Sequence, residues 1–258
     1  MKIFDFHLHP GYDFHNDELG YEITPELFVQ GLAACGVDFC AGSVIHKADT
    51  SRPLDEYAEI LPRLNAEAYE FLQKYPSLYT PGIHVHPAFV QLSCGEVERY
   101  ARRGVRLVGE LVPYLMAWSG YDDPRLLEIL RVAADHQMVL SFHPSKNTAA
   151  METLLKSLPQ LNVVIAHLDG YGLYEWSIEM MQKYSNLYFD ISAHGASRRG
   201  MLADAVRRVG SERILYGSDY PGYSPKPFID SILQADITDA DREAILYKNA
   251  ARLLHIDL

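Results

Sequence analysis

Three cysteines in 258 residues, Cys35, Cys40 and Cys94, with no C-x-x-C pair, rule out a disulfide framework and a structural zinc ribbon. They read as small core residues in a reducing compartment. No run of 18 apolar residues occurs, so no segment is expected to span a membrane. The first seven residues, Met1 to His7, carry charge where a secretory leader needs its apolar stretch. Basic residues are also in deficit: 23 Lys and Arg against 34 Asp and Glu give a net charge of −11. That balance argues against a nucleic-acid or anionic-membrane partner and leaves a cytoplasmic protein acting on small molecules.

What is present recurs as an apolar run, a polar loop and a helical pattern. Candidate strands are Lys2–Phe6, Phe39–Ile45, Leu78–Val85, Val105–Glu110, Met138–Phe142, Asn162–Ala166, Asn186–Ile191 and Arg213–Tyr216. They are nearly continuous apolar stretches, as parallel strands buried on both faces require. Thr24-Pro25-Glu26 and Asp123-Pro124 have the form of helix N-caps with proline at the first position. Leu64–Tyr75 reads as a helix starting near Pro62, and a last helix starts near Thr238 or Asp239 with Ile245, Leu246, Ala250 and Leu253 on one stripe. An open doubly wound sheet would need a Gly-rich phosphate loop after its first strand. Here that position holds His7-Leu8-His9-Pro10, with no G-x-G-x-x-G. The expected fold is therefore one α/β domain over residues 1–258, a (β/α)8 TIM barrel.

Eleven histidines stand out, and eight of them sit at or just beyond strand ends: His7, His9, His46, His84, His86, His143, His167 and His194. In a (β/α)8 barrel these ends share the face that carries chemistry. Side chains two apart on a strand point the same way from backbone positions about 6.5–7 Å apart, so His7 and His9 can converge on one ion. By the same alternation Asp5 would orient one imidazole. Barrel closure makes the first and eighth strands neighbours, which brings Asp219 beside His7 and His9. Two imidazoles, a carboxylate and a water make an open coordination sphere, with His143 as a further ligand.

Asp5-Phe6-His7-Leu8-His9, Phe142-His143, Ala166-His167-Leu168-Asp169-Gly170, Gly217-Ser218-Asp219-Tyr220-Pro221 and Lys248-Asn249-Ala250-Ala251-Arg252 follow in order along the chain. Together they resemble the amidohydrolase superfamily, in its branch of metal-dependent hydrolases and decarboxylases. The resemblance covers essentially the whole chain. It implies a barrel with a divalent metal, zinc above all and manganese as an alternative, as one or two ions. By position His7, His9, His143 and Asp219 are ligands, and His167 is a second-metal ligand or a general acid/base. Two-metal members bridge their ions through a carboxylated lysine or a glutamate ending strand four. Glu110 stands there, to bridge two ions, bind one or orient a substrate amine. A buried glutamate paired with a histidine would look the same.

The leading expectation is metal-assisted hydrolysis of a small cyclic or carboxylated compound, with Asp219 as proton acceptor and His167 polarising the group under attack. The alternative is non-oxidative decarboxylation of a conjugated or aromatic acid by nearly the same residues. A silent binding protein would have lost ligands, and no expected position is empty. His84, His86, His46 and His194 read as pocket walls. Tyr171, Tyr174, Tyr220 and Tyr223 are candidates to pack on a flat substrate. Arg198, Arg199, Lys146 and Lys226 are candidate carboxylate contacts, and Gly11–Tyr21 a lid. A homo-oligomer would be unsurprising.

Overall fold

Each expected strand is found in the computed structural model, which describes residues 1–11, 23–48, 51, 54–193 and 198–257. The strands are β1 (Phe4–Leu8), β2 (Phe39–Gly42), β3 (Tyr79–Ile83), β4 (Leu107–Leu111), β5 (Val139–Phe142), β6 (Asn162–Ile165), β7 (Leu187–Asp190) and β8 (Ile214–Leu215). They pair in parallel in chain order. The ring closes from the eighth strand to the first through Phe6 N–H to Tyr216 O at 3.0 Å, Asp219 N–H to His7 O at 2.7 Å and His9 N–H to Tyr220 O at 2.8 Å. The chain is a (β/α)8 TIM barrel.

Helices α1 (Pro25–Ala34), α2 (Tyr57–Lys74), α3 (Val90–Ala101), α4 (Pro124–Asp135), α5 (Thr148–Ser157), α6 (Tyr174–Lys183), α7 (Met201–Val209) and α8 (Pro225–Leu233) follow the strands in turn. Both predicted caps are made: Thr24 Oγ1 accepts from Leu27 N–H at 3.3 Å and Asp123 Oδ1 from Arg125 N–H at 2.8 Å. The second helix departs from expectation, because it begins at Tyr57 and carries Pro62 inside it. An internal proline costs about 3 kcal/mol. Burying Tyr57, Leu61, Leu64, Ala68 and Phe71 on one face outweighs that, at about 1.5–3 kcal/mol for each large apolar side chain.

The chain ends in α9 (Asp239–Glu243), a π-helical turn (Ala244–Lys248) and α10 (Asn249–Leu254). A capping box at Thr238 and Asp241 starts this run. Ile245 and Leu246 join the layer between barrel and helices, whereas Ala250, Leu253 and Leu254 pack on Phe4, Phe6, Phe39, Leu107, Val139, Val164 and Leu215. These last residues come from six strands all round the barrel, so they fill its axis.

Two strands break the strict alternation. On β1, Phe4 and Phe6 belong to the axial cluster but Leu8 to the outer layer; on β4, Leu107 is axial while Val108 and Leu111 are both outer. Pairing registers shift at the same places, between Asp5 and Leu8 and between Val108 and Leu111. An irregularity of this kind re-aims the side chains beyond it. It turns His7 and Glu110 towards the axis at the mouth. It also overturns the expected role of Asp5, which faces the other way. The Asp5 carboxylate accepts from the backbone N–H of His7 at 3.2 Å and of Ser218 at 3.0 Å, tying β1 to the chain after β8.

Candidate metal centre

Six side chains meet at the C-terminal mouth. His7 Nε2 lies 3.2 Å from His9 Nε2 and 3.3 Å from Glu110 Oε2. His9 Nε2 is 3.5 Å from Glu110 Oε2 and 3.3 Å from Asp219 Oδ1, which is 3.7 Å from His7 Nε2. The other oxygen, Glu110 Oε1, is 3.3 Å from His143 Nδ1 and 3.8 Å from His167 Nε2. Glu110 thus stands between two pairs of imidazoles, with one oxygen towards each.

Hydrogen bonds on the far side of three of the rings fix what their nitrogens offer. His7 Nδ1–H donates to Asp190 Oδ2 at 2.8 Å, His9 Nδ1–H to the Ser43 carbonyl at 3.0 Å and His167 Nδ1–H to the Ser192 carbonyl at 3.2 Å and hydroxyl at 2.9 Å. The neutral rings therefore aim three Nε2 lone pairs at the carboxylates. Lone pairs and anionic oxygens facing one another 3–4 Å apart need a cation between them. Ligands about 2.1 Å from one ion sit about 3.0–3.4 Å apart in octahedral or tetrahedral arrangement, close to the spacings around Glu110 Oε2. The residues fit a divalent metal.

The proton affinities say the same. Burial alone would lower His7, yet Glu110 and Asp190 beside it raise it well above the ordinary imidazole value. Burial would raise Glu110, but His7, His143 and His9 hold it well below the usual carboxylate range. Without metal, the centre attracts protons where a cation belongs.

Backbone geometry is specialised around this cluster. His167 (φ 57°) and Asp219 (φ 65°) are in the left-handed region, which is costly for residues with a Cβ and recurs at functional sites. Gly109 has φ 101°, and a Cβ there would fall 2.0 Å from the Ser141 carbonyl oxygen. At Gly217 a Cβ would lie 2.7 Å from the Cβ of His7. Gly217→Ala should therefore displace His7, cutting metal-dependent turnover by about 10²-fold, the cost of misplacing a reacting group by about 1 Å. Elemental analysis and steady-state rates check this; unchanged values would mean that His7 has room to move.

Other residues singled out from sequence fall elsewhere. His86 spends both ring nitrogens on the backbone, Nε2–H to Met116 O at 2.9 Å and Nδ1 from Ala88 N–H at 3.1 Å, as a structural side chain. His84 Nε2–H donates to Val44 O at 2.7 Å, and burial pushes its pKa down to about 4. Tyr174 is buried, with its hydroxyl on Asp204 at 2.7 Å, so it anchors α7 rather than a substrate. Arg198 is paired with Asp169 at 2.6 Å and Lys226 with Asp230. Cys40 is buried, Cys35 and Cys94 half-buried. His46 is half-buried, and His194 and residues 12–21 of the proposed lid lie outside the described residues. Tyr114 and Tyr171 flank His143, with ring centroids at 5.3 and 5.9 Å, and both are more than half exposed.

Three contributors had not been singled out: Asp190, Ser192 and Tyr121. Asp190 had a signal, a carboxylate ending the apolar run Leu187-Tyr188-Phe189. Tyr121 donates to the His143 carbonyl at 2.5 Å from a loop between strands, where nothing local marks it.

A (β/α)8 barrel with imidazoles and carboxylates gathered at its C-terminal mouth is the architecture of metal-dependent amidohydrolases, and the chain belongs to that family: its sequence model, described as Amidohydrolase, matches residues 4–256. Among curated proteins the chain is 28% identical to the gamma-resorcylate decarboxylase of Rhizobium sp. (strain MTP-10005) over 116 residues, 38% of this chain and 36% of that one. The chain thus matches little more than a third of that relative's length. Among solved structures, the 2,6-dihydroxybenzoate decarboxylase from Rhizobium superposes with a TM-score of 0.78 at 18% identity, covering 99% of both chains. The 5-carboxyvanillate decarboxylase of Novosphingobium aromaticivorans, with bound manganese and 3-methoxy-4-hydroxy-5-nitrobenzoic acid, gives 0.77 at 14% identity over 99% of this chain and 97% of that one. Among the described residues, no helix is long and apolar enough to cross a membrane.

Proposed function

We propose that the chain is a metal-dependent decarboxylase of a small aromatic carboxylate. The observation that carries the reading is the donor set around Glu110 Oε2, spaced for a cation and adjoining two exposed aromatic rings in contact with His143. Kinship with decarboxylases of hydroxylated benzoates favours this chemistry over hydrolysis. His7, His9, His143 and Asp219 would hold the ion, with Glu110 as a further ligand. When bound, the ion supplies positive charge for the substrate's anionic groups in a mouth otherwise lined by carboxylates.

Tyr114 and Tyr171 offer faces and edges to a flat ring. His167 is the acid/base residue: its Nδ1–H is committed to Ser192, so the Nε2 lone pair takes up a proton from solvent, and burial, which lowers the affinity of this ring for a proton, favours handing it on. The carbon–carboxylate bond breaks, the ring carbon keeps the electron pair and takes that proton, and CO2 departs.

A second reading, hydrolysis, is favoured by one feature. The two oxygens of Glu110 face different imidazole pairs, a placement suited to two ions and water activation. The test is metal-loaded protein in D2O with 2,6-dihydroxybenzoate and 5-carboxyvanillate, beside a panel of lactones and amides. Decarboxylation gives one CO2 and one ring-bound deuterium per turnover. Conversion of a lactone or amide to its acid, with no CO2 from either carboxylate, would replace it with the hydrolase.

A further inference from the structure

Asp190 sits fully buried at the end of β7 and has four donors on its two oxygens. Oδ2 takes one, His7 Nδ1–H at 2.8 Å. Oδ1 takes three: the backbone N–H of His167 at 3.1 Å, the backbone N–H of Ser192 at 3.0 Å and the Ser192 hydroxyl. That hydroxyl in turn accepts from His167 Nδ1–H at 2.9 Å and stands 3.1 Å from His7 Nδ1. One carboxylate therefore stands behind both His7 and His167.

We infer that Asp190 is a positioning residue that makes His7 a metal ligand, by holding its proton on Nδ1 and so leaving the Nε2 lone pair for the ion. The inference rests on the reading of His7 as a ligand, but needs no particular substrate. Asn in place of Asp190 exposes the logic, because an amide has one accepting end and one donating end. Two of the donors on the Oδ1 side are backbone N–H groups that cannot turn away. The amide oxygen must stay there, and the NH2 group faces His7 Nδ1. His7 Nδ1 then meets a donor where it had a carboxylate, and its one remaining acceptor is the Ser192 hydroxyl at 3.1 Å, already shared with His167; accepting on Nδ1 and carrying the proton on Nε2, where the ion should bind, relieves that conflict. A single change of tautomer would remove a ligand with the fold intact. His167 escapes, since the Ser192 carbonyl still fixes its Nδ1–H at 3.2 Å.

The experiment uses zinc, which is diamagnetic, with 15N-histidine-labelled protein and a chromophoric chelator as competitor. Wild type should show His7 with a protonated Nδ1 and a zinc-bound Nε2. Asp190→Asn should bind zinc about 100-fold more weakly, with His7 protonated on Nε2 and the His167 resonances unmoved. General loosening of the site would move both histidines and would overturn the inference, as would unchanged zinc affinity. Ser192→Ala, which removes the 3.1 Å contact to His7 Nδ1 but leaves the shorter link to Asp190 Oδ2 in place, should hold zinc within about 3-fold of wild type. A large loss there would also overturn the inference. If Asp190→Asn does not fold, the wild-type spectrum still decides: coordination through His7 Nδ1 is incompatible with the proposal. Wild type that binds no zinc would overturn the metal reading as well, whereas inactivity towards every carboxylate would leave this inference standing.

Discussion

Glu110→Gln should abolish function more completely than any other single change at the mouth. Turnover should fall by about 10³-fold, the scale of losing a preorganised charged group, and metal content should drop well below one ion per chain. The reason is the position of the carboxylate, with Oε2 near His7 and His9 and Oε1 near His143 and His167. Glutamine keeps the shape but turns one of these oxygens into an NH2 group. Whichever way it lies, a donor faces nitrogens whose lone pairs are meant for the ion. Elemental mass spectrometry and steady-state rates read the result. Turnover and metal content within about 3-fold of wild type would show that Glu110 is only a buried partner of the histidines.

Removal of the metal is the second large effect. Dialysis against a chelator should reduce turnover to background, and manganese or zinc should restore it. Stability should follow. Metal at about 1,000 times its dissociation constant adds about 4 kcal/mol to the folded state. At about 2–4 °C per kcal/mol for a domain of this size, re-addition should raise Tm by about 8–16 °C. The number of ions needed separates the two reaction classes. Saturation at one ion per chain leaves His167 free to carry the proton in decarboxylation, whereas two ions would make it a ligand and favour water activation. A Tm and a turnover indifferent to chelator would remove the metal from the account altogether.

The fold was legible because its signals are local. Apolar runs buried on both faces marked eight parallel strands, and Thr24-Pro25 and Asp123-Pro124 marked helix starts by side-chain capping of the next turn. The histidines were legible as a set because a barrel places every strand end on one face. Pro62 was misread because local propensity stops a helix there, while burial of Tyr57 and Leu61 with the rest of that face carries the helix through.

Sequence alone determined the barrel, the mouth residues and the neighbourhood of Asp219 and His9, since closure of a ring follows from strand count and order. Tertiary structure decided how those residues are aimed. Alternation puts Asp5 on the same side as His7 and Glu110 on the opposite side from Leu107; the register shifts on β1 and β4 reverse both. These irregularities come from the packing of whole strands against their neighbours, which no short window of sequence records. The bond from His7 to Asp190 joins residues 183 apart in the chain. Its partners are brought together by the closed ring alone, and so is the tautomer that it sets.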